Sequence, residues 1–215
     1  GTLIAKMVHG CTIIARNYMA HARVLADSFF SHHRDGSFTV LLIDDESREF
    51  DGSREVFECL RLNEIGLDST EVEQLVAIYD VTELATAVKP PFLRHLLRPP
   101  RSEVIYLDPD IRIYGSLEEA PRLAREHSVV LTPHMTAPLP RDGRRIDDFH
   151  ILSSGVYNLG FIAAGPGSDE FINWWWQKTR REALVDHSRM MFTDQRWVDF
   201  VPSFFNHFIL KDPTY

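Results

Sequence analysis

The sequence predicts an α/β domain, and three observations predict it. Strand-like and helix-like segments alternate along the 215 residues. Two short apolar runs, Phe38–Ile43 and Val104–Leu107, stop abruptly at aspartates, as buried parallel strands do where they leave a sheet. The composition, 44% hydrophobic and 25% charged, is that of an ordinary globular chain with core enough to need no disulfide or metal staple.

Taken in order, residues 8–15 contain Val8, Cys11, Ile13 and Ile14 and read as a first buried strand. Asn17 is placed to cap the helix that follows, whose stripe is Tyr18, Val24, Leu25, Ser28 and Phe29. Asp35-Gly36-Ser37 is a turn into the strand Phe38–Ile43, which ends at Asp44 and Asp45. Residues 46–59 are polar and read as irregular. Val72, Leu75, Val76 and Tyr79 share a helical face. Pro90-Pro91 opens a further helix, with Phe92, Leu93, Leu96 and Leu97 on its apolar side, and Pro99-Pro100 closes it. The strand 103–107 follows. Ser116 and Glu119 have the spacing of a capping box, with Pro121 in the first turn. Residues 128–132 read as a strand, 133–151 as a long loop carrying Arg141, Arg144 and Arg145, and 155–164 as another strand. Phe171, Ile172, Trp175 and Trp176 mark a helix beginning near Ser168, and residues 194–200 a last short one. With no repeat and no break in composition, residues 1–215 read as one domain.

A formal charge of −8 argues against a general nucleic-acid binder, which needs clustered Lys and Arg, and suits a site that concentrates a divalent cation. The two cysteines, Cys11 and Cys59, are far apart in segments that look buried, which favours a reduced protein over a disulfide. No apolar run approaches the ~18 residues of a membrane span. Gly1 to Lys6 lacks a signal peptide's basic and apolar regions, so the expected location is the cytoplasm.

The most informative stretch is Glu103 to Tyr114. A buried strand there ends in Asp108-Pro109-Asp110. Ligands of open α/β sheets bind at strand carboxyl ends, and two carboxylates there offer hard oxygen ligands to Mn²⁺ or Mg²⁺. Such ions commonly complete their shell with substrate phosphates.

At this point the chain resembles the nucleotide-sugar glycosyltransferases of GT-A type, nearest to glycosyltransferase family 8. The resemblance rests on four segments: Ile13 to Tyr18, Ala87 to Arg94, Tyr106 to Asp110, and Val156 to Ile162 followed by Thr193 to Trp197. It implies a Rossmann-like fold with a mixed, mostly parallel sheet and helices on both faces. It also implies a retaining transfer of a hexose from a UDP-sugar to a glycan or other hydroxyl acceptor. Carried over by position, Ala15, Asn17 and Tyr18 would contact nucleobase and ribose, and Asp44 would face the same edge. Lys89 would neutralise a donor phosphate or hold an aspartate. Asp110 would hold the metal directly, and Asp108 would contact the metal or the ribose hydroxyls. Asn158 and Gly160 would shape the sugar pocket, with Asp194 and Gln195 nearest the chemistry. Where the family commonly has an aspartate, this chain has Arg16. The family's third metal ligand is a downstream histidine before a glycine. His207-Phe208 lacks that glycine, and family members continue where this chain stops at Tyr215. For His134, His150 and His187 ordinary structural roles are favoured over metal ligation. The same holds for the tryptophan run 174–176 against a sugar platform, and the loop arginines read as an exposed cluster.

Other classes share parts of this pattern. A dehalogenase-like phosphatase expects Thr or Val where Arg112 stands, and its motif near the start of the chain. A nucleotidyltransferase expects a glycine-rich basic loop after the first strand, and residues 15–18 contain no glycine. A binding module that kept the fold without turnover is a further alternative.

Overall fold

The computed structural model describes residues 7–45, 48–99, 101–143 and 146–215. Gly1 to Lys6, Glu46, Ser47, Pro100, Arg144 and Arg145 lie outside the described residues, as does the side chain of His187. The strands are β1 (His9–Ile14), β2 (Ser37–Leu42), β3 (Glu58–Arg61), β4 (Val104–Leu107), β5 (Val129–Pro133), β6 (Tyr157–Ala164), β7 (Val185–Asp186), β8 (Met191–Phe192) and β9 (His207–Ile209). All but β7 and β8 join one seven-stranded sheet, in the order β3-β2-β1-β4-β6-β5-β9. In it β6 runs antiparallel to β4 and β5, and the other pairings are parallel.

Period-two alternation divides the strand residues between two cores. Cys11, Ile13, Leu41, Val104 and Tyr106 point to one face. Ile14, Val40, Leu42, Ile105 and Leu107 point to the other. Helices α2 (Ser69–Ile78), α3 (Val81–Ala87), α4 (Lys89–Leu96) and α7 (Asp169–Glu182) send their apolar residues into the first core. Helices α1 (Met19–His32) and α5 (Glu119–His127) cover the second. Coverage on both sides is why β1 and β2 read as near-continuous apolar runs. Gly10 makes one close contact possible: a Cβ there would stand 2.7 Å from Phe38 Cδ2 and 2.9 Å from Phe29 Cε2. Both rings are fully or almost fully buried.

The chain lays β2 and then β3 outward from one side of β1, and β4 enters on the other side. The carboxyl ends of β1 and β4 therefore flank a topological switch point, where crevices form in open α/β sheets.

Several local expectations are corrected. Asn17 caps nothing: residues 16–18 form a 3₁₀ turn, and α1 starts at Met19 with no side-chain cap. The buried face of α1 is built on Met19, Ala22, Leu25, Ala26 and Phe29, while Tyr18 and Val24 are exposed. Val76 likewise lies off the α2 face. Ser116 forms no capping box. It accepts instead from the Glu118 N–H, and α5 begins at Glu119, with Pro121 tolerated in its first turn. The polar stretch 46–59 runs into the edge strand β3, which starts at Glu58, and the long loop holds α6 (Asp148–Ser154). The last helix is split into α8 (Gln195–Val198) and α9 (Val201–Phe204). As expected, Pro90 and Pro91 sit in the first turn of α4. Cys11 and Cys59 are free thiols on strands separated by β2, and burial pushes Cys59 up to about 11.

Candidate active site

The parallel ladder brings the exits of β1, β2 and β4 to one edge, and antiparallel β6 brings its first residues there too. At the end of β1, Ala15 is buried and its carbonyl accepts from the Tyr18 N–H, closing the 3₁₀ turn. Asn17 and Tyr18 stand exposed on that turn, the Tyr18 ring 4.9 Å from that of His21. Asp44, at the end of β2, ties the two exits together by accepting from the Arg16 N–H at 2.9 Å. The Arg16 guanidinium pairs with Glu49 at 2.7 Å and lies 3.9 Å from Asp44. The residue that departs from the family pattern thus has carboxylate partners of its own.

The centre is built around Lys89. Its ammonium is buried, yet it donates to the Leu159 carbonyl at 3.0 Å and lies 3.2 Å from Asp194 Oδ2. It also sits 4.6 Å from the centre of the Tyr106 ring and 3.9 Å from Asp108 Oδ1. A buried ammonium is stable only when so surrounded. The cation faces protein groups, with Asp194 and Asp108 both within 4 Å.

Asp194 is 1% exposed and accepts from the Thr193 hydroxyl at 3.1 Å. Burial raises its pKa, against the pull of Lys89. It sits at the cap position of α8 without forming a side-chain capping bond. Gln195 is also positioned by protein. Its amide oxygen accepts from the Leu159 N–H at 3.1 Å and its amide nitrogen donates to the Ser154 carbonyl at 2.7 Å. Gln195 therefore brackets α8 to β6 and to the end of α6.

Asp108 is partly exposed and is held by Tyr106, whose hydroxyl donates to Oδ1 at 2.8 Å. Among the described residues no hydrogen bond reaches Oδ2. Tyr106 was not singled out from the sequence as a site residue, although it lies two positions before Asp108, where side chains of a strand share a face. Burial pushes its phenol well above the usual range, so it stays a donor. Gly160 lies below: a Cβ there would stand 3.2 Å from Asp108 Oδ2 and 3.1 Å from Asn158 Oδ1. Asn158 is exposed and its side-chain oxygen accepts from the Gly160 N–H at 3.0 Å.

At the exit of β4, Asp108 Oδ2 and the exposed Asp110 carboxylate offer hard oxygen donors. Among the described residues no three His, Cys, Asp or Glu side chains cluster as a complete metal site. His207 is in no position to help, because it pairs with Val129 at the opposite end of the sheet. His134 and His150 make hydrogen bonds within the chain, to Gly155 and Asp147. Arg141 is exposed; Arg144 and Arg145 lie outside the described residues. Trp175 is fully buried, and Trp174 and Trp176 pack against the core.

No protein-family model matches the chain, and no curated protein does. Solved structures do. The glycosyltransferase GlyE of Streptococcus pneumoniae TIGR4 superimposes with a TM-score of 0.57 over 96% of this chain and 45% of its own, at 16% identity. The galactosyltransferase LgtC, solved with donor and acceptor sugar analogues, gives 0.56 over 93% of this chain and 72% of its own, at 15% identity. The chain has the GT-A fold. A third match is the bifunctional glycosyltransferase WbbM, at 0.54 and 11% identity, covering 98% of this chain and 40% of its own. The chain spans less than half the length of GlyE and WbbM. At such identities the likeness speaks for the fold, and within the GT-A fold the carboxyl edge is where the residues above converge. No described helix is long and apolar enough to cross a membrane.

Proposed function

We propose that this chain is a metal-dependent, retaining hexosyltransferase that moves a hexose from a UDP-sugar to a hydroxyl of a glycan or similar acceptor. The observation that carries the reading is the convergence of Asp108, Asn158, Gly160 and the buried Lys89–Asp194 pair at the switch point of a GT-A fold.

In this reading the nucleoside lies along Ala15 to Tyr18, with Tyr18 free to stack on the base and Asn17 to meet its edge. Asp44 holds that turn to β2 through the Arg16 N–H. Asp108 Oδ2 and Asp110 would hold Mn²⁺ or Mg²⁺, an ion that commonly uses one or two carboxylates and completes its shell with water and phosphate oxygens. When bound, the ion supplies positive charge against the donor diphosphate as the glycosidic bond breaks. Tyr106 and Lys89 keep Asp108 in one orientation. Asn158 offers its amide to the sugar, and Gly160, having no Cβ, lets the Asp108 carboxylate lie close over β6. Asp194 supplies fixed negative charge beneath the developing oxocarbenium-like centre, and Gln195 holds β6 in place.

The test is a thermal-shift panel of nucleoside diphosphates and nucleotide-sugars, with and without Mn²⁺. A ligand of the native state raises the midpoint. The expected result is a Mn²⁺-dependent rise with a uridine diphosphate that Asp110→Asn removes. No metal-dependent shift with any nucleoside diphosphate would overturn the proposal.

A further inference from the structure

On the opposite face of the sheet from Lys89, the segment between β4 and α5 roofs a cavity of about 510 Å³. Its walls include Leu107, Ile113, Leu117, Phe161 and Tyr215, and Arg112 and Tyr114 stand at its rim. The roof is anchored. The Ile113 N–H donates to Ser28 Oγ and the Leu117 N–H to His33 Nε2, each at 3.0 Å and buried. Phe161 and Tyr215 meet edge to face at 5.6 Å. The space is therefore preformed, within the size range and of the apolar character of small-molecule sites.

The rim adds chemistry. Tyr114 is 82% exposed, and the Arg112 guanidinium lies 5.6 Å from its ring centre. Among the described residues Arg112 has no carboxylate partner, in a chain where most arginines do. A large exposed aromatic beside an apolar cavity is the kind of surface that marks a binding site, and Arg112 adds a cation free to meet an anionic group there. We propose that this cavity binds a small soluble amphiphile, with an apolar or aromatic body inside and one anionic group on Arg112. The inference does not rest on the glycosyltransferase reading, and no residue of the Lys89 site lines the cavity.

The test is a fluorescence titration with 1-anilinonaphthalene-8-sulfonate and, in parallel, the uncharged N-phenyl-1-naphthylamine. Saturable binding of both is expected. Arg112→Ala should weaken the sulfonate by roughly tenfold or more, the scale of one charge-assisted hydrogen bond, and leave the uncharged probe unchanged. Gly115→Trp should block both while keeping the wild-type thermal midpoint; a Cβ at Gly115 meets nothing within 4 Å. Octyl phosphate should displace the sulfonate. Binding that ignores both substitutions, or displacement by anionic vesicles alone, overturns the proposal.

Discussion

Lys89 and Asp194 are buried together, and each is expensive alone. Removing one partner of such a pair leaves an uncompensated charge, at about 3–5 kcal/mol. Lys89→Met should therefore destabilise by that order in denaturant unfolding. The double variant Lys89→Met/Asp194→Asn should lose at least about 0.5 kcal/mol less than the two singles summed. The pH dependence has a definite sign. The Asp194 pKa is raised in the folded state, so folding binds a proton that the unfolded chain has released. The cost of Lys89→Met should then be small below about pH 4 and grow as pH rises above the unfolded value. A cost independent of pH would show that Asp194 is not the orphaned group. Tyr106→Phe removes the hydroxyl that holds Asp108 Oδ1 while keeping the ring under Lys89. It should weaken the Mn²⁺-dependent thermal shift and leave the metal-free midpoint within about 2 °C.

Among the elements, β4 and β6 do most to place the site. They pair antiparallel, with Leu107 opposite Phe161, so the exit of one meets the start of the other. Gln195 fixes β6 to α8 through the buried Leu159 N–H and holds the end of α6 through the partly buried Ser154 carbonyl. Gln195→Ala would orphan the Leu159 N–H, at about 1–3 kcal/mol. A loss of that size in chemical denaturation identifies a bracket; an unchanged midpoint with lost turnover would place Gln195 at the chemistry. The strongest elements were legible in the sequence. Phe38–Ile43 and Val104–Leu107 could hardly be anything but buried strands, and Pro90-Pro91 marked the start of α4. The edge strands β3 and β9 were not legible. Neither Glu58–Arg61 nor His207–Ile209 is fully buried, so neither carries the continuous apolar run of a central strand. The Ser116 box failed because its spacing is common and the chain reaches α5 by a different turn.

The whole molecule carries a pH liability in β1, at the other end of the sheet from the site. His9 is 4% exposed and is bonded to Ser37, and burial pushes its imidazole down to about 3. Below pH 6.5 the unfolded chain takes up a proton that the folded state refuses. Stability should fall from that pH downward, by up to about 1.4 kcal/mol per pH unit for one proton, until the folded histidine titrates. Thermal midpoints between pH 7 and 4 should show the slope, and His9→Gln should flatten it. An unchanged slope would place the liability elsewhere.

By itself the sequence determined which segments lie in the middle of the sheet and that carboxylates leave it at Asp44 and Asp108. Both follow from local facts: unbroken apolar runs and the polar breaks that end them. Only the tertiary structure decided which partners those carboxylates meet. Lys89, Tyr106 and Asp194 close around Asp108 because α4 and α7 pack on one face of the sheet and α8 docks on β6. Contacts of that kind depend on how whole elements settle against one another, which no local pattern records. The same packing buries Lys89 beside Asp194 and Asp108.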